Sequence, residues 1–366
     1  MATAELTRQA QDLLARIARS PRFAGSVAEA RARQICREHL EQSGFACNEI
    51  EFEFSEWPGR WGPPAAAVVQ LIMILVVART ARAGDPAIAL GFGLKLFAAL
   101  AILSRHARRR WTTTFPLLRS RAVNLEASRG DPALWLVAHI DTKSQTVPML
   151  YRIASAMLLS ALVLATLVAA LLQVAGFDGV RSYWLVISLA AAMAALPSLL
   201  CVVRNDSIGA VDNASGVAAV LLAARQVPPA TRLGVLITSG EELGLAGARA
   251  WAAGARTGSK VINCDTVDDA GLWLCMHTGA KPALSARAET TAATLGFKLR
   301  ARPLIPGILA DSVAFSDRGF EAVTISCGSL ATLARIHTRR DNTTALTGGG
   351  IADASILLAA LTREHG

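Results

Sequence analysis

Leu134-Trp-Leu-Val-Ala-His139-Ile-Asp141 is a run of five apolar residues that passes directly into an imidazole and, two residues later, a carboxylate. It reads as a strand at residues 134–138 that delivers polar groups at its end. The same design recurs downstream. A strand at 233–238 is followed by Glu241-Glu242, one at 261–264 by Asp265, and further strands are expected at 272–275 and 322–325, with helical segments between them. Upstream lie a strand at 122–127, an alternating strand at 48–54, and helices at 5–19 and 26–43, the second stopping at Ser43-Gly44. This alternation predicts an α/β fold. Strand carboxyl ends form the crevice where ligands bind in open α/β sheets, so the separate acids and imidazoles can converge there.

Two apolar blocks interrupt the pattern. Residues 61–78 carry no charge and residues 86–104 only Lys95, with a short Arg/Gly/Asp turn between them. Residues 153–177 and 182–203 are uncharged over 25 and 22 positions. At about 1.5 Å per residue each of these two crosses a hydrocarbon core of roughly 30 Å. Buried core helices are the alternative, and they suit the first pair better, since Pro63-Pro64 shortens one helix and Lys95 burdens the other. The second pair is longer than ordinary core helices and has no polar face. If His139 and Asp212 share one site, residues 153–203 between them cross a bilayer an even number of times, and two crossings satisfy this. The same holds for 61–104 if the strand at 48–54 belongs to the catalytic domain. The expected division is a discontinuous domain of residues 1–60, 105–150 and 204–366, with transmembrane hairpins at 61–104 and 151–203.

Composition agrees with a lipid-facing portion. The chain is 52% hydrophobic and 18% charged over 366 residues, with a mean hydropathy of +0.39. A net charge of +9 invites a nucleic-acid reading, but no basic stripe with interleaved stacking aromatics accompanies it. Anionic lipid is the better counter-charge, and no nucleic-acid partner is expected. The six cysteines are scattered without a C-x-x-C pair, which fits a reducing compartment. Residues 1–20 form an amphipathic helix rather than an export signal. Arg60, Arg105, Arg108, Arg109, Arg110, Arg152 and Arg204 flank the enzyme side of the apolar segments, against Arg79, Arg82 and Arg181 in the opposite turns. The positive-inside rule then predicts a multi-pass protein of four spans with a cytoplasmic catalytic domain.

Five segments carry the chemistry: Val137-Ala-His139-Ile-Asp141, Gly209-Ala-Val-Asp212-Asn213-Ala-Ser-Gly216, Thr238-Ser-Gly-Glu241-Glu242-Leu-Gly244, Asn263-Cys-Asp265 and Ile336-His337-Thr-Arg-Arg-Asp341. Singly, each has an ordinary structural explanation, as a helix cap, a turn or a helix-dipole pair. Together they supply the mixture of imidazole nitrogen and carboxylate oxygen that zinc takes.

In this order, His-x-Asp, Asp-Asn-x-Ser-Gly, Glu-Glu, Asp and His-Thr, the sequence resembles the di-zinc aminopeptidases. That family includes aminopeptidase Y, bacterial leucyl aminopeptidases, glutamate carboxypeptidase and the transferrin receptor ectodomain. The likeness covers about residues 15–58 and 112–366, including Ser20-Pro-Arg-Phe-Ala-Gly25 near the start. It implies a mixed, mostly parallel central sheet flanked by helices, a zinc-exopeptidase-like fold. It also implies two Zn2+ ions, with His139 and Asp265 on one, Glu242 and His337 on the other, and Asp212 bridging them. Asp141 takes the place of the residue that hydrogen-bonds His139, and Glu241 that of the general base. One departure stands out: in Ala310-Asp311-Ser-Val313-Ala-Phe315, Val313 occupies a position where a His is common. That puts specificity or oxyanion stabilisation in question, unless the segment is an ordinary turn into a helix.

The implied activity is a membrane-anchored zinc aminopeptidase acting on peptides or peptide-like amides. Two alternatives come from other classes. A non-catalytic receptor or scaffold is expected to have lost ligands, which this chain has not. A glutaminyl-cyclase-like acyl-transfer enzyme shares the fold with one zinc, and metal content per chain separates it. No Gly-x-Ser-x-Gly elbow supports a serine hydrolase.

Overall fold

The computed structural model describes residues 4–305 and 307–364, with side chains throughout except at residues 107–109. The first three residues of the amphipathic start and the Arg108 and Arg109 side chains of the charge count lie outside the described residues. Along the chain run α1 (Ala4–Ile17), α2 (Val27–Gln42), β1 (Ala46–Ser55), α3 (Trp57–Ala83), α4 (Pro86–Thr114), β2 (Arg119–Arg129) and β3 (Leu134–His139). Next come α5 (Met149–Val174), α6 (Trp184–Leu199), α7 (Ser215–Gln226), β4 (Leu233–Thr238), α8 (Ala246–Gly254), β5 (Lys260–Val267) and β6 (Leu272–His277). The chain closes with α9 (Ala283–Thr294), β7 (Leu299–Pro303), α10 (Ser312–Ser316), β8 (Glu321–Gly328), α11 (Leu330–Arg335) and α12 (Gly349–Arg363).

The chain divides into two compact units: residues 1–56, 112–145 and 204–366, and residues 57–111 and 146–203. The first is built on an eight-stranded sheet in the order β1-β2-β4-β3-β5-β8-β6-β7. Pairing is parallel for β3 with β4, β3 with β5, β5 with β8 and β6 with β7, and antiparallel elsewhere. The fold is therefore α/β with a mixed, mostly parallel sheet, as the resemblance implied. β3 and β4 are buried at every position, because helices cover both faces of a parallel sheet centre. Helix α7 is buried from Ser215 through Ala224. A helix apolar all round belongs in a core.

An aromatic cluster locks another part of this core. Trp251 on α8 packs edge-on against Trp135 of β3 at 4.8 Å and against Phe315 of α10 at 5.7 Å. Its indole Nε1 donates to Glu126 at 2.5 Å, so the ring fills apolar space without stranding its donor. Strand β7 was not foreseen. Its sequence, Leu-Arg-Ala-Arg-Pro, is polar and ends in proline, and it pairs at the sheet edge with β6 alone, where such a strand is tolerated.

Among the described residues, the second unit holds four helical segments long and apolar enough to cross a membrane: Trp57–Ala83, Pro86–His106, Met149–Val174 and Asp178–Leu199. Met73 and Ile74 of α3, Leu159 and Val163 of α5, and Ala191, Ala194 and Ala195 of α6 are buried together. Small alanines let these helices approach closely. Two polar residues between these helices are paired: Ser155 Oγ donates to the Ala194 carbonyl at 2.6 Å, and Gln173 donates to the Ala81 carbonyl and accepts from Trp184 Nε1. Large apolar side chains such as Ile72, Phe92, Leu158, Leu164, Val186 and Leu189 are exposed on the outside. One expectation needs correction. Pro63 and Pro64 do not shorten α3, which runs through both from Trp57 to Ala83. Helix α4 runs on past its apolar stretch to Thr114, because helical hydrogen bonding is indifferent to the change from apolar to basic side chains.

Candidate active site

The Asp212 segment sets the geometry. Gly209, at φ +53°, turns the chain in the left-handed region open to glycine, and the Asp212–Asn213 peptide is cis. Every polar side chain that follows is tied down. Asn213 donates to the Cys264 carbonyl at 2.9 Å and accepts from the amides of Gly216 and Thr266. Ser215 Oγ donates to the Val211 carbonyl at 2.7 Å and accepts from the Val267 amide. Asp341 accepts the amides of Val211 at 2.7 Å and Asp212 at 3.2 Å. Gly216 sits so close to β5 that a Cβ there would lie 2.4 Å from the Cys264 oxygen. The result fixes Asp212 against Asp265, which β5 carries.

The candidate residues converge. His139 Nε2 lies 3.2 Å from Asp212 Oδ1 and 3.5 Å from Asp265 Oδ1. His337 Nε2 lies 3.0 Å from Asp212 Oδ2 and 3.1 Å from Glu242 Oε1. Two groups thus form, His139–Asp212–Asp265 and Asp212–Glu242–His337, in each of which the potential donor atoms lie within 4.8 Å of one another. Asp212 belongs to both, one oxygen to each. All of these residues are buried in the described structure, and Glu241 is buried beside them. His337 holds φ +59°, a conformation that costs on the order of 1–3 kcal/mol in a non-glycine residue. Its carbonyl is anchored by the Gln145 amide at 3.0 Å.

These residues fit a cation. Glu242 Oε1, which faces His337 Nε2, is buried without a hydrogen bond, and several carboxylates crowd a largely buried space. Such a cluster is costly unless positive charge compensates it. Burial works to lower the His139 pKa, but Glu241, Asp141, Asp212 and Asp265 outweigh it and hold the ring well above its usual value. Burial likewise works to raise Asp212, yet the two imidazoles keep it below the usual carboxylate range. Glu241 goes the other way. Its burial, reinforced by Glu242, Asp265 and Asp311, raises its carboxyl well above the usual range.

Asp141 acts differently from the expectation. Its main-chain oxygen lies 3.1 Å from His139 Nδ1, whereas its carboxylate Oδ1 is 3.7 Å from that nitrogen. The carboxylate instead accepts the amides of Glu241 at 3.1 Å and Glu242 at 3.2 Å. It ties the end of β3 to the turn that follows β4. Val313, on α10, packs against the cluster that contains Trp251 and Phe315. The neighbouring Asp311 is buried, accepts from Thr238 Oγ1 at 2.5 Å, and is pushed up to about 7 by burial and by Asp141 and Asp265, against the pull of His139.

Two residues escaped the reading of the sequence. Arg22, fully buried, donates to the carbonyls of Ile140 at 2.8 Å, Ile208 at 2.6 Å, Gly209 at 3.1 Å and Ile17 at 3.3 Å. It joins the His139 and Asp212 segments through their backbones, and burial lowers its pKa to about 10. Its signal was the lone charge inside Pro-Arg-Phe-Ala-Gly25. Lys143 lies 2.7 Å from Glu242 Oε2. Its signal was the alternation His139, Asp141, Lys143 beyond β3.

An α/β sheet that brings histidines and carboxylates together at its strand ends defines the class, a metal-dependent hydrolase of the zinc-exopeptidase type. Residues 122–362 match the sequence profile of peptidase family M28; the chain belongs to that family, and zinc and a peptide substrate come with it. No curated protein matches the chain. Among solved structures it resembles the aminopeptidase from Aneurinibacillus sp. strain AM-1 at 12% identity and a TM-score of 0.58, over 98% of this chain and 93% of that one. It also resembles BSAP, a zinc aminopeptidase from Bacillus subtilis, at 13% identity and a TM-score of 0.57, over 98% and 94%. A Porphyromonas gingivalis glutaminyl cyclase is similar at 15% identity and a TM-score of 0.56, over 99% and 100%. At these identities the likeness is one of fold.

Proposed function

We propose that the chain is a multi-pass membrane aminopeptidase that uses two zinc ions. The observation that carries the metal count is the pair of donor groups sharing Asp212. In this reading His139 and Asp265 hold one zinc, Glu242 and His337 the other, and Asp212 contributes one oxygen to each. When bound, the zinc ions acidify a water and polarise the scissile carbonyl. Glu241 takes the proton of the attacking water and returns it to the leaving amine. Asp141, through the two amides it accepts, holds Glu241 in place for that exchange.

The membrane part of the proposal is supported by four helices of sufficient length and apolarity and by the apolar side chains exposed on them. The arginine asymmetry favours a cytoplasmic catalytic unit. Protection of that unit from protease in sealed inside-in vesicles is expected, and its digestion from outside would reverse the orientation. The likeness to a glutaminyl cyclase favours an acyl-transfer reading as the second choice. Amide hydrolysis of amino-acyl and dipeptide substrates, abolished by chelator, supports the peptidase. Cyclisation of N-terminal glutamine without hydrolysis would support the rival.

A further inference from the structure

The geometry points to Lys143 as a positioning residue that holds Glu242 as a one-oxygen metal donor, an inference that rests on Glu242 being a ligand. His139, Asp141 and Lys143 occupy alternate positions at the end of β3 and just beyond it, and Asp141 and Lys143 both grip the Glu241-Glu242 pair. Asp141 takes its two amides. Lys143 takes its other end: Nζ donates to the Glu242 main-chain oxygen at 3.0 Å and lies 2.7 Å from Glu242 Oε2. The opposite oxygen, Oε1, faces His337 Nε2 at 3.1 Å and makes no hydrogen bond.

A lysine ammonium offers three donors on one point charge, and two of them are spent on a single residue. The Lys143 and Glu242 side chains are only 11% and 3% exposed, so water screens the pair little. Rotation about the terminal bond of Glu242 merely exchanges its two oxygens, and one of them always meets the ammonium. The other is the only one free to face His337 and Asp212. A fixed positive charge beside the carboxylate also opposes a cation at that end of the site. Lys143 therefore withholds half of the Glu242 carboxylate from the metal.

The test uses the zinc-loaded, full-length protein in detergent, compared with Lys143→Met and Lys143→Arg. X-ray absorption at the zinc edge is expected to give more oxygen donors per zinc in Lys143→Met than in wild type. Competition with a chelator is expected to show zinc held more tightly, by about tenfold for each 1.4 kcal/mol of repulsion between the ammonium and the metal that is relieved. Lys143→Arg keeps a cation and should retain both wild-type values. Should Lys143→Met fail to fold, Lys143→Gln removes the charge with a polar side chain and carries the same expectation. An unchanged donor number with unchanged or weaker zinc binding in the neutral variants would overturn the proposal. Zinc binding insensitive to Glu242→Ala would instead remove Glu242 from the ligands, a failure of the metal reading rather than of Lys143.

Discussion

Glu241 and Glu242 are adjacent and chemically identical, yet their surroundings separate them. Burial works to raise both carboxyls. For Glu242, His337 and Lys143 outweigh it and hold the group below the usual range, while Glu241, pressed by Glu242, Asp265 and Asp311, stays above. Environments that drive two acids apart suit one for proton transfer and the other for ligation. Glu241→Gln should keep its zinc and lose activity by about 10²- to 10⁴-fold, read as hydrolysis rate against metal content; full activity in this variant would exclude Glu241 as the base. His139, Glu241, Glu242 and Asp265 were legible because they lie at or just beyond apolar strands. Asp212 sits in the turn before α7 and His337 follows α11, so those two were legible from their motifs and not from a strand end. Arg22 and Lys143 were not. A single cation in a short loop looks like a solvated surface residue until the fold shows which carbonyls or carboxylates surround it.

The segment from Gly209 to α7 behaves as one element, stitched to β5 by Asn213 and Ser215 and capped by Asp341. Gly216→Ala should drive a Cβ into the Cys264 carbonyl and cost about 1–3 kcal/mol, measured as a lower denaturation midpoint together with weaker zinc binding. Stability loss with unchanged zinc affinity would separate the packing of α7 from the site. Arg22→Met leaves buried carbonyls without donors, each worth on the order of 1–3 kcal/mol, and should lower the melting temperature of the zinc-free and zinc-loaded protein alike. Elements dominated by apolar periodicity were readable in the sequence. β7 was not, because edge pairing with β6 rather than its own composition makes it a strand.

For the molecule as a whole, Glu29 is one buried carboxyl through which pH acts on folding. Burial, then Asp141, raises its carboxyl from 4.5 to about 8, despite hydrogen bonds from Ser239 and the Gly25 amide. Across that window the folded chain retains a proton that the unfolded chain has released, so stability falls as pH rises. Glu29→Gln should make this dependence less steep between about pH 4.5 and 8, with parallel curves outside it; an equally steep wild-type and variant profile would show that Glu29 does not titrate there. The α/β class was legible from the order of strands and helices, and the likeness to di-zinc peptidases is borne out by family membership. The apolar inserts were legible as long uncharged runs, but how their helices pack depends on small residues and a few internal hydrogen bonds that no periodicity announces. The account's central claim is the shared site. Zinc per chain, measured on purified full-length protein and on Asp212→Ala, tests it most directly: two ions in wild type and loss of both in the variant are predicted. A wild type that holds a single ion after saturation would contradict it, as would an Asp212→Ala protein that still holds two.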